Sequence, residues 1–120
     1  MTREKLLGAF GEAAAAEYLR KHGFRILGMN YRCRGGELDV IAQEGKTVVF
    51  VEVKLRQEGG YAPAAEYVTP VKQRRLRLAA AAWLADADRE DSDCRFDVME
   101  IYLAPGATKI WRIEHLRDAF

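Results

Sequence analysis

Glu37-Leu38-Asp39-Val40-Ile41-Ala42, then Gln43-Glu44-Gly45-Lys46, then Thr47-Val48-Val49-Phe50-Val51-Glu52-Val53-Lys54 follow one another in the first half of this 120-residue chain. The first segment alternates polar and apolar residues, the pattern of a strand with one covered face. The last is almost continuously apolar, the pattern of a strand covered on both faces. Between them Gly45 tolerates the positive φ of a tight turn. The stretch therefore predicts a hairpin whose second strand is central in a sheet. With the turn at Glu44-Gly45, or across Gln43 to Lys46, Ala42 pairs with Thr47. Asp39 then lies opposite Phe50, and Glu37 opposite Glu52. Paired residues share a face, as do residues two apart. Glu37, Asp39, Glu52 and Lys54 are thus expected on one face, with Asp39 and Glu52 diagonal neighbours at about 7–8 Å. A slip of one residue would send the pairs to opposite faces.

On the N-terminal side, Thr2 to His22 reads as a helix ended by Gly23, with Leu6, Phe10, Ala13, Ala14, Glu17 and Tyr18 recurring at three- and four-residue spacing. Phe24 to Tyr31, interrupted by Gly28, is expected to be a short or bulged strand, and Arg32 to Gly36 a basic, Gly-rich loop. On the C-terminal side, Gln57 to Val68 is expected to be an irregular, mobile loop. Thr69 as N-cap and Pro70 at the first helical position start a helix running to about Ala85. Its buried stripe is Leu76, Ala79, Ala80, Trp83 and Leu84. An acidic linker, a strand from Arg95 to Leu103, a turn at Pro105-Gly106 and a strand from Thr108 to Ile113 complete the chain. The order α-β-β-β-α-β-β predicts one α/β domain over residues 1–120, a mixed sheet with a helix on each side.

Composition narrows the function classes. Apolar residues make up 49% of the chain, enough for a core, so disorder is excluded as the main state. The longest apolar runs, Ala13–Ala16 and Leu78–Leu84, fall far short of the roughly 20 residues that span a bilayer. Arg3, Glu4 and Lys5 open the chain in place of an export signal, so the cytoplasm is the expected location and a membrane partner is not. The net charge of +1 excludes a polycation that grips nucleic acid by bulk charge, so any such contact needs local segregation. Cys33 and Cys94 are too few for a structural zinc site and are expected to be unpaired thiols in a reducing compartment.

Carboxylates gathered beside an apolar strand repel one another, and burial raises that cost. A divalent cation removes it. Mg²⁺ takes hard oxygen ligands, commonly one or two carboxylates with water and phosphate oxygens. Asp39, Glu52 and the main-chain carbonyl of Val53 are the candidate ligands. Lys54 can hold an attacking water or stabilise charge developing on a phosphate. Water attack on a phosphodiester with Mg²⁺ or Mn²⁺ is the reaction such a set suits. Glu37 is either a metal contact or an acceptor for Arg32, Arg34 or Lys54. Glu12 lies near the apolar side of its helix and faces either the site or solvent.

The Asp39…Glu52-Val53-Lys54 pattern resembles the acidic core of the restriction-endonuclease-like superfamily. Over nearly the whole chain the sequence resembles the YraN family of bacterial predicted endonucleases. The residues that carry this are Gly8-Ala9-Phe10-Gly11-Glu12 with Ala16 and Leu19, Asn30-Tyr31-Arg32, Gly36 to Ala42, Val49 to Lys54 with Arg56, Val68-Thr69 with Lys72, and Arg95-Phe96-Asp97-Val98. The resemblance implies a restriction-endonuclease-like fold related to archaeal Holliday-junction resolvases. It implies Asp39 and Glu52 as metal ligands, Lys54 as the catalytic lysine, and Glu12 as an acidic residue that helps complete the site.

Positive charge is segregated around these positions. Lys72, Arg74, Arg75 and Arg77 lie within six residues with no acid among them, and Lys72 and Arg75 share a helix face. Arg32 and Arg34 precede the acidic strand, and Arg56 follows Lys54. Arg32, Arg34, Arg56, Lys72 and Arg75 are therefore the expected DNA contacts, and Tyr61 and Tyr67 could stack on a base or simply pack. Two functions fit: a Mg²⁺- or Mn²⁺-dependent endonuclease acting on branched or damaged DNA, with a homodimer supplying two sites for two-strand cutting, or a catalytically silent module that binds nucleic acid or a partner.

Overall fold

The computed structural model describes residues 2–57, 68–104 and 109–120. Tyr61, Tyr67, most of the expected mobile loop and the Pro105-Gly106 turn lie outside them. Among these residues, two helices and five strands follow in the expected order: α1 (Arg3–Lys21), β1 (Arg25–Cys33), β2 (Gly36–Glu44), β3 (Thr47–Gln57), α2 (Pro70–Asp86), β4 (Cys94–Leu103) and β5 (Ile110–Leu116). Local chemistry sets the helix ends. The hydroxyls of Thr2 and Thr69 accept the N–H of Lys5 and Lys72 at 3.2 and 3.1 Å, satisfying first-turn donors. The end of α1 closes with Phe24 N–H donating to the Leu19 carbonyl and Gly23 N–H to that of Arg20, a Schellman arrangement. Among the described residues, no helix is long and apolar enough to cross a membrane.

The sheet order is β1-β2-β3-β4-β5, with β3 central. β3 and β4 pair in parallel, joined by the α2 crossover, and the other neighbours pair antiparallel. One helix lies on each face. Val48 and Phe50 pack with Leu76, Ala79 and Ala80 of α2, while Val49 and Val51 pack with Ala15 and Leu19 of α1. This double cover is why β3 reads as a continuous apolar run.

Several expectations are corrected. The turn between β2 and β3 is Gly45-Lys46, with Gly45 at φ 60°, because a tight hairpin of this kind takes its positive φ at the first central residue. Glu44 therefore pairs with Thr47, and Ile41, not Asp39, pairs with Phe50. The shift is two residues, so the predicted face survives for Asp39, Glu52 and Lys54, while the flip between Val40 and Leu38 takes Glu37 out of step. Arg32 and Cys33 belong to β1 and Gly36 to β2, which leaves Arg34-Gly35 as a two-residue turn in place of the expected loop. In α1 the buried side is Gly11, Ala15, Ala16 and Leu19, while Leu6, Phe10 and Ala13 are exposed. Small residues let the helix lie close on the sheet, and that closeness outweighs burying the larger side chains. β1 is bulged between Ile26 and Gly28, as expected.

The sheet forks at one end. The β2–β3 ladder stops at Val40–Val51, whereas β1–β2 pairing continues to Cys33–Gly36 and β3–β4 pairing to Gln57–Leu103. At the fork the side-chain alternation also fails. Val40 joins the α1-side cluster but Leu38, two residues away, joins the α2-side cluster. The pairs Met29–Val40 and Tyr31–Leu38 set Asn30 level with Asp39, and Asn30 has φ 53°. Asn tolerates that conformation better than most residues. The two strands turn over there together, leaving Asp39 at the opening.

The β1–β2 turn end rests directly on α2. A Cβ at Gly36 would sit 2.8 Å from the Arg75 carbonyl oxygen, a backbone atom that cannot swing aside. Gly36→Ala is therefore expected to destabilise the fold by about 1–3 kcal/mol. Gly8→Ala, where nothing lies within 4 Å, should stabilise α1 by about 0.5–1 kcal/mol. Urea unfolding midpoints of the two variants should move in opposite directions.

Candidate active site

The fork gathers the chemistry. Beyond Val51 the edge of β3 has lost its β2 ladder, and the Val53 N–H donates instead to Asp39 Oδ2 at 2.8 Å. Continuing the ladder sets Asp39 level with Glu52, and the two carboxyl groups are close enough to share a hydrogen bond. Glu52 is buried at 9% exposure. Leu38, Phe50, Leu76, Phe96 and Phe120 form an apolar floor beneath both groups. Burial first, and the charge of Glu52 second, push the Asp39 carboxyl up to about 7 against the opposing Val53 hydrogen bond.

Two lysines answer this negative charge. Lys54, two residues along β3, has its Nζ 3.9 Å from Glu52 Oε1. Lys72, in the first turn of α2, has its Nζ 3.2 Å from the same oxygen. Burial, and then the neighbouring Lys72, lower the Lys54 amine. Burial also works against charge on Lys72, but Lys54 and the carboxylates outweigh it and raise that amine. The sequence marks Lys72 only as a DNA contact; the structure brings it to Glu52 at the edge of the cleft.

Glu12 approaches from the opposite layer, on α1, within hydrogen-bonding reach of Asn30 and Asp39. Burial and the Asp39 charge raise its carboxyl. It therefore faces the site, although Phe10 and Ala13, the neighbours that suggested this, are exposed. Glu37 is exposed, with Oε1 3.6 Å from Arg32 Nε. Among the described residues, no three His, Cys, Asp or Glu side chains form a metal-holding group. Among the described residues, the close carboxyl groups are Asp39 and Glu52, with Glu12 reaching Asp39 from α1.

Asp39, Glu52 and Glu37 line an open cleft of about 480 Å³ with Lys72, Arg75 and Thr69, within the roughly 300–1,000 Å³ of ligand clefts. Gly36, Glu37 and Arg75 also wall a neighbouring depression, where Lys5, Arg32 and Arg34 join them. Lys5 is an addition that no sequence signal marked. Arg56 is not brought to this surface: its Nε donates to buried Glu100 at 2.6 Å, deep against the sheet. Arg77 is not brought there either, its guanidinium lying over the rings of Phe96 and Phe120.

Asp97, quoted from the sequence without a role, is wholly buried on β4, level with Val51. It accepts hydrogen bonds from Arg95 Nε and the Asp118 N–H, each at 2.9 Å, and lies 2.7 Å from His115 Nε2. This network ties the end of β5 and the residues after it to β4. It holds Phe120 stacked on Phe96, and so secures the floor of the site.

Comparison with known proteins matches residues 11–101 to the family described as "Uncharacterised protein family UPF0102". A UPF0102 protein of Geobacter sulfurreducens is 50% identical over 117 residues, 97% of this chain and 89% of that one. One from Rhodococcus jostii is 50% identical over 120 residues, the full length of both. One from Pelotomaculum thermopropionicum is 46% identical over 116 residues, 97% and 96% of the two chains.

The raised Asp39 carboxyl has a consequence for stability. Between about pH 4 and pH 7 the folded chain keeps a proton that the unfolded chain releases, so this group makes stability fall as pH rises through that window. Asp39→Asn removes the slope and keeps an acceptor for Val53 N–H. In EDTA at pH 8 the variant should be more stable than the parent by about 1–3 kcal/mol, and near pH 4 about equal to it. Urea melts at the two pH values test this; an Asn variant less stable at pH 8 would contradict it.

Proposed function

This chain belongs to the UPF0102 family, and we propose that it is a divalent-metal-dependent endonuclease that hydrolyses DNA phosphodiester bonds, related to the restriction-endonuclease-like nucleases. The observation that carries the proposal is the convergence of Asp39, Glu52 and Lys54 at the fork of the sheet, at the wall of a cleft lined by cations. Two carboxylates close enough to share a hydrogen bond, one buried and one raised to about 7, are poorly solvated anions whose donor set suits a hard cation. Asp39 and Glu52 would hold Mg²⁺ or Mn²⁺, and one or two carboxylates are the usual protein share for Mg²⁺. Val53 directs its N–H into the fork. In an extended strand the carbonyl of the same residue points the same way, which favours it as a third oxygen. When bound, the ion supplies Lewis acidity and a more acidic water.

The chain's own residues supply the rest. Lys54, its amine lowered by burial, is placed to accept or donate a hydrogen bond at an attacking water and to steady charge on the phosphate. Glu12 shares the proton and hydrogen-bond network of Asp39 from the far layer. Glu37, held toward Arg32, orients that guanidinium at the neighbouring depression. Arg75 stands at the junction of the two depressions. With Arg32, Arg34 and Lys5 it offers a path for successive phosphates leading away from the carboxylates. Branched or damaged DNA is the substrate class that fits a short cationic path on a chain of near-neutral net charge, since such a surface contacts few phosphates. A homodimer would supply the second site for two-strand cutting.

Incubation of the protein with linear, flapped and four-way DNA, each with Mg²⁺ or Mn²⁺, tests the reading. Cleavage should fall at least about 100-fold in Lys54→Ala and in Glu52→Gln while DNA binding persists. Arg34→Glu with Arg75→Glu should weaken binding and flatten its dependence on salt. Binding without cleavage under every metal would overturn the enzyme and leave a nucleic-acid-binding module.

A further inference from the structure

Lys72 sits where a cation is wanted. Its Nζ is 3.2 Å from Glu52 Oε1, nearer than the 3.9 Å of Lys54, which shares that oxygen. Lys72 reaches in from another element: the Thr69 cap and Pro70 fix the start of α2, and Lys72 follows in its first turn. Its side chain is 36% exposed, so the ammonium has solvent on one side and the carboxylates on the other. Thr69, Lys72, Arg75 and both carboxylates line the same cleft. An ammonium group and a divalent ion are alternative partners for one carboxylate oxygen, because each needs its lone pairs and each repels the other.

We propose that Lys72 is the resident counter-ion of the Asp39–Glu52 pair, and that a divalent ion enters by displacing it. The inference rests on the metal reading above and adds a competitor supplied by the chain itself. The ammonium steadies two crowded carboxylates when no metal is present, and weakens metal binding by the same interaction. Displaced, it swings toward the open side of the cleft, one helical turn from Arg75, where a phosphate would lie. Cation loading is thereby coupled to a positive charge released toward the anionic substrate.

Calorimetric titration with Mn²⁺ and Mg²⁺ of the full chain, Lys72→Gln, Glu52→Gln and the turn variant Lys46→Gln provides the test. Lys72→Gln should bind the ions about tenfold more tightly than the parent, equivalent to about 1.4 kcal/mol. It should melt lower in EDTA and show a larger rise in Tm on metal addition. Lys46→Gln should match the parent, which excludes a bulk charge effect. Unchanged or weaker binding by Lys72→Gln, with binding by the parent lost in Glu52→Gln, would overturn the displacement and leave the metal reading standing. No binding by either the parent or Lys72→Gln would overturn both. A second measurement needs no Lys72 variant that folds: in the ¹³C-lysine-labelled parent, the Lys72 ε-methylene resonance should move with Mg²⁺ in step with saturation. A resonance that stays fixed overturns the proposal.

Discussion

Two carboxylates held against each other over an apolar floor are the constraint around which this structure is arranged. Asp39 and Glu52 meet because the β2–β3 register sets them level, and because the ladder stops one step earlier and opens a fork. Each stabilising contact nearby answers the same electrostatic problem. The Val53 N–H takes one oxygen of Asp39, and Lys54 and Lys72 share one oxygen of Glu52. Asp39 also keeps its proton far above the usual carboxylate range. A fold with no use for the cluster would reach lower free energy with apolar residues in these positions. Local strain and charge crowding of this sort gather at functional sites.

The scaffold explains how such a cluster is tolerated. β3 is covered by α2 on one face and α1 on the other, so its backbone is fixed on both sides of Glu52. Gly36 lets the β1–β2 turn rest on the backbone of α2, which joins the cationic depression to the acidic cleft. On β4, level with Val51, the buried Asp97 network anchors Phe120, which closes the floor beneath the carboxylates. The site is thus braced from three directions while its mouth stays open.

Features set by local chemistry were legible in the sequence. Thr69-Pro70 and Gly23 gave the helix limits, and the apolar run from Val48 to Val51 gave the central strand. The union of Asp39, Glu52 and Lys54 was legible as well, although the register behind it was two residues off. A period of two forgives an even error, so Asp39, Glu52 and Lys54 came out on one face from the wrong pairing, while the flip at Leu38 took Glu37 out of step. What the sequence hid depends on tertiary contact. No propensity announces that Asn30 will take φ 53° and turn two strands over at Asp39. The burial of the small-residue side of α1, with Leu6 and Phe10 left exposed, follows from how close the helix lies to the sheet. Arg56 and Lys72 both read only as DNA contacts because their partners, Glu100 and Glu52, come from other elements.

The central claim is that the fork is a cation site built from Asp39 and Glu52. Anomalous diffraction from crystals soaked in Mn²⁺ addresses it most directly. The account predicts a single strong peak between the two carboxylates, within coordination distance of oxygens from both and of the Val53 carbonyl. A peak elsewhere on the chain, or none at a Mn²⁺ concentration that supports DNA cleavage, would contradict it.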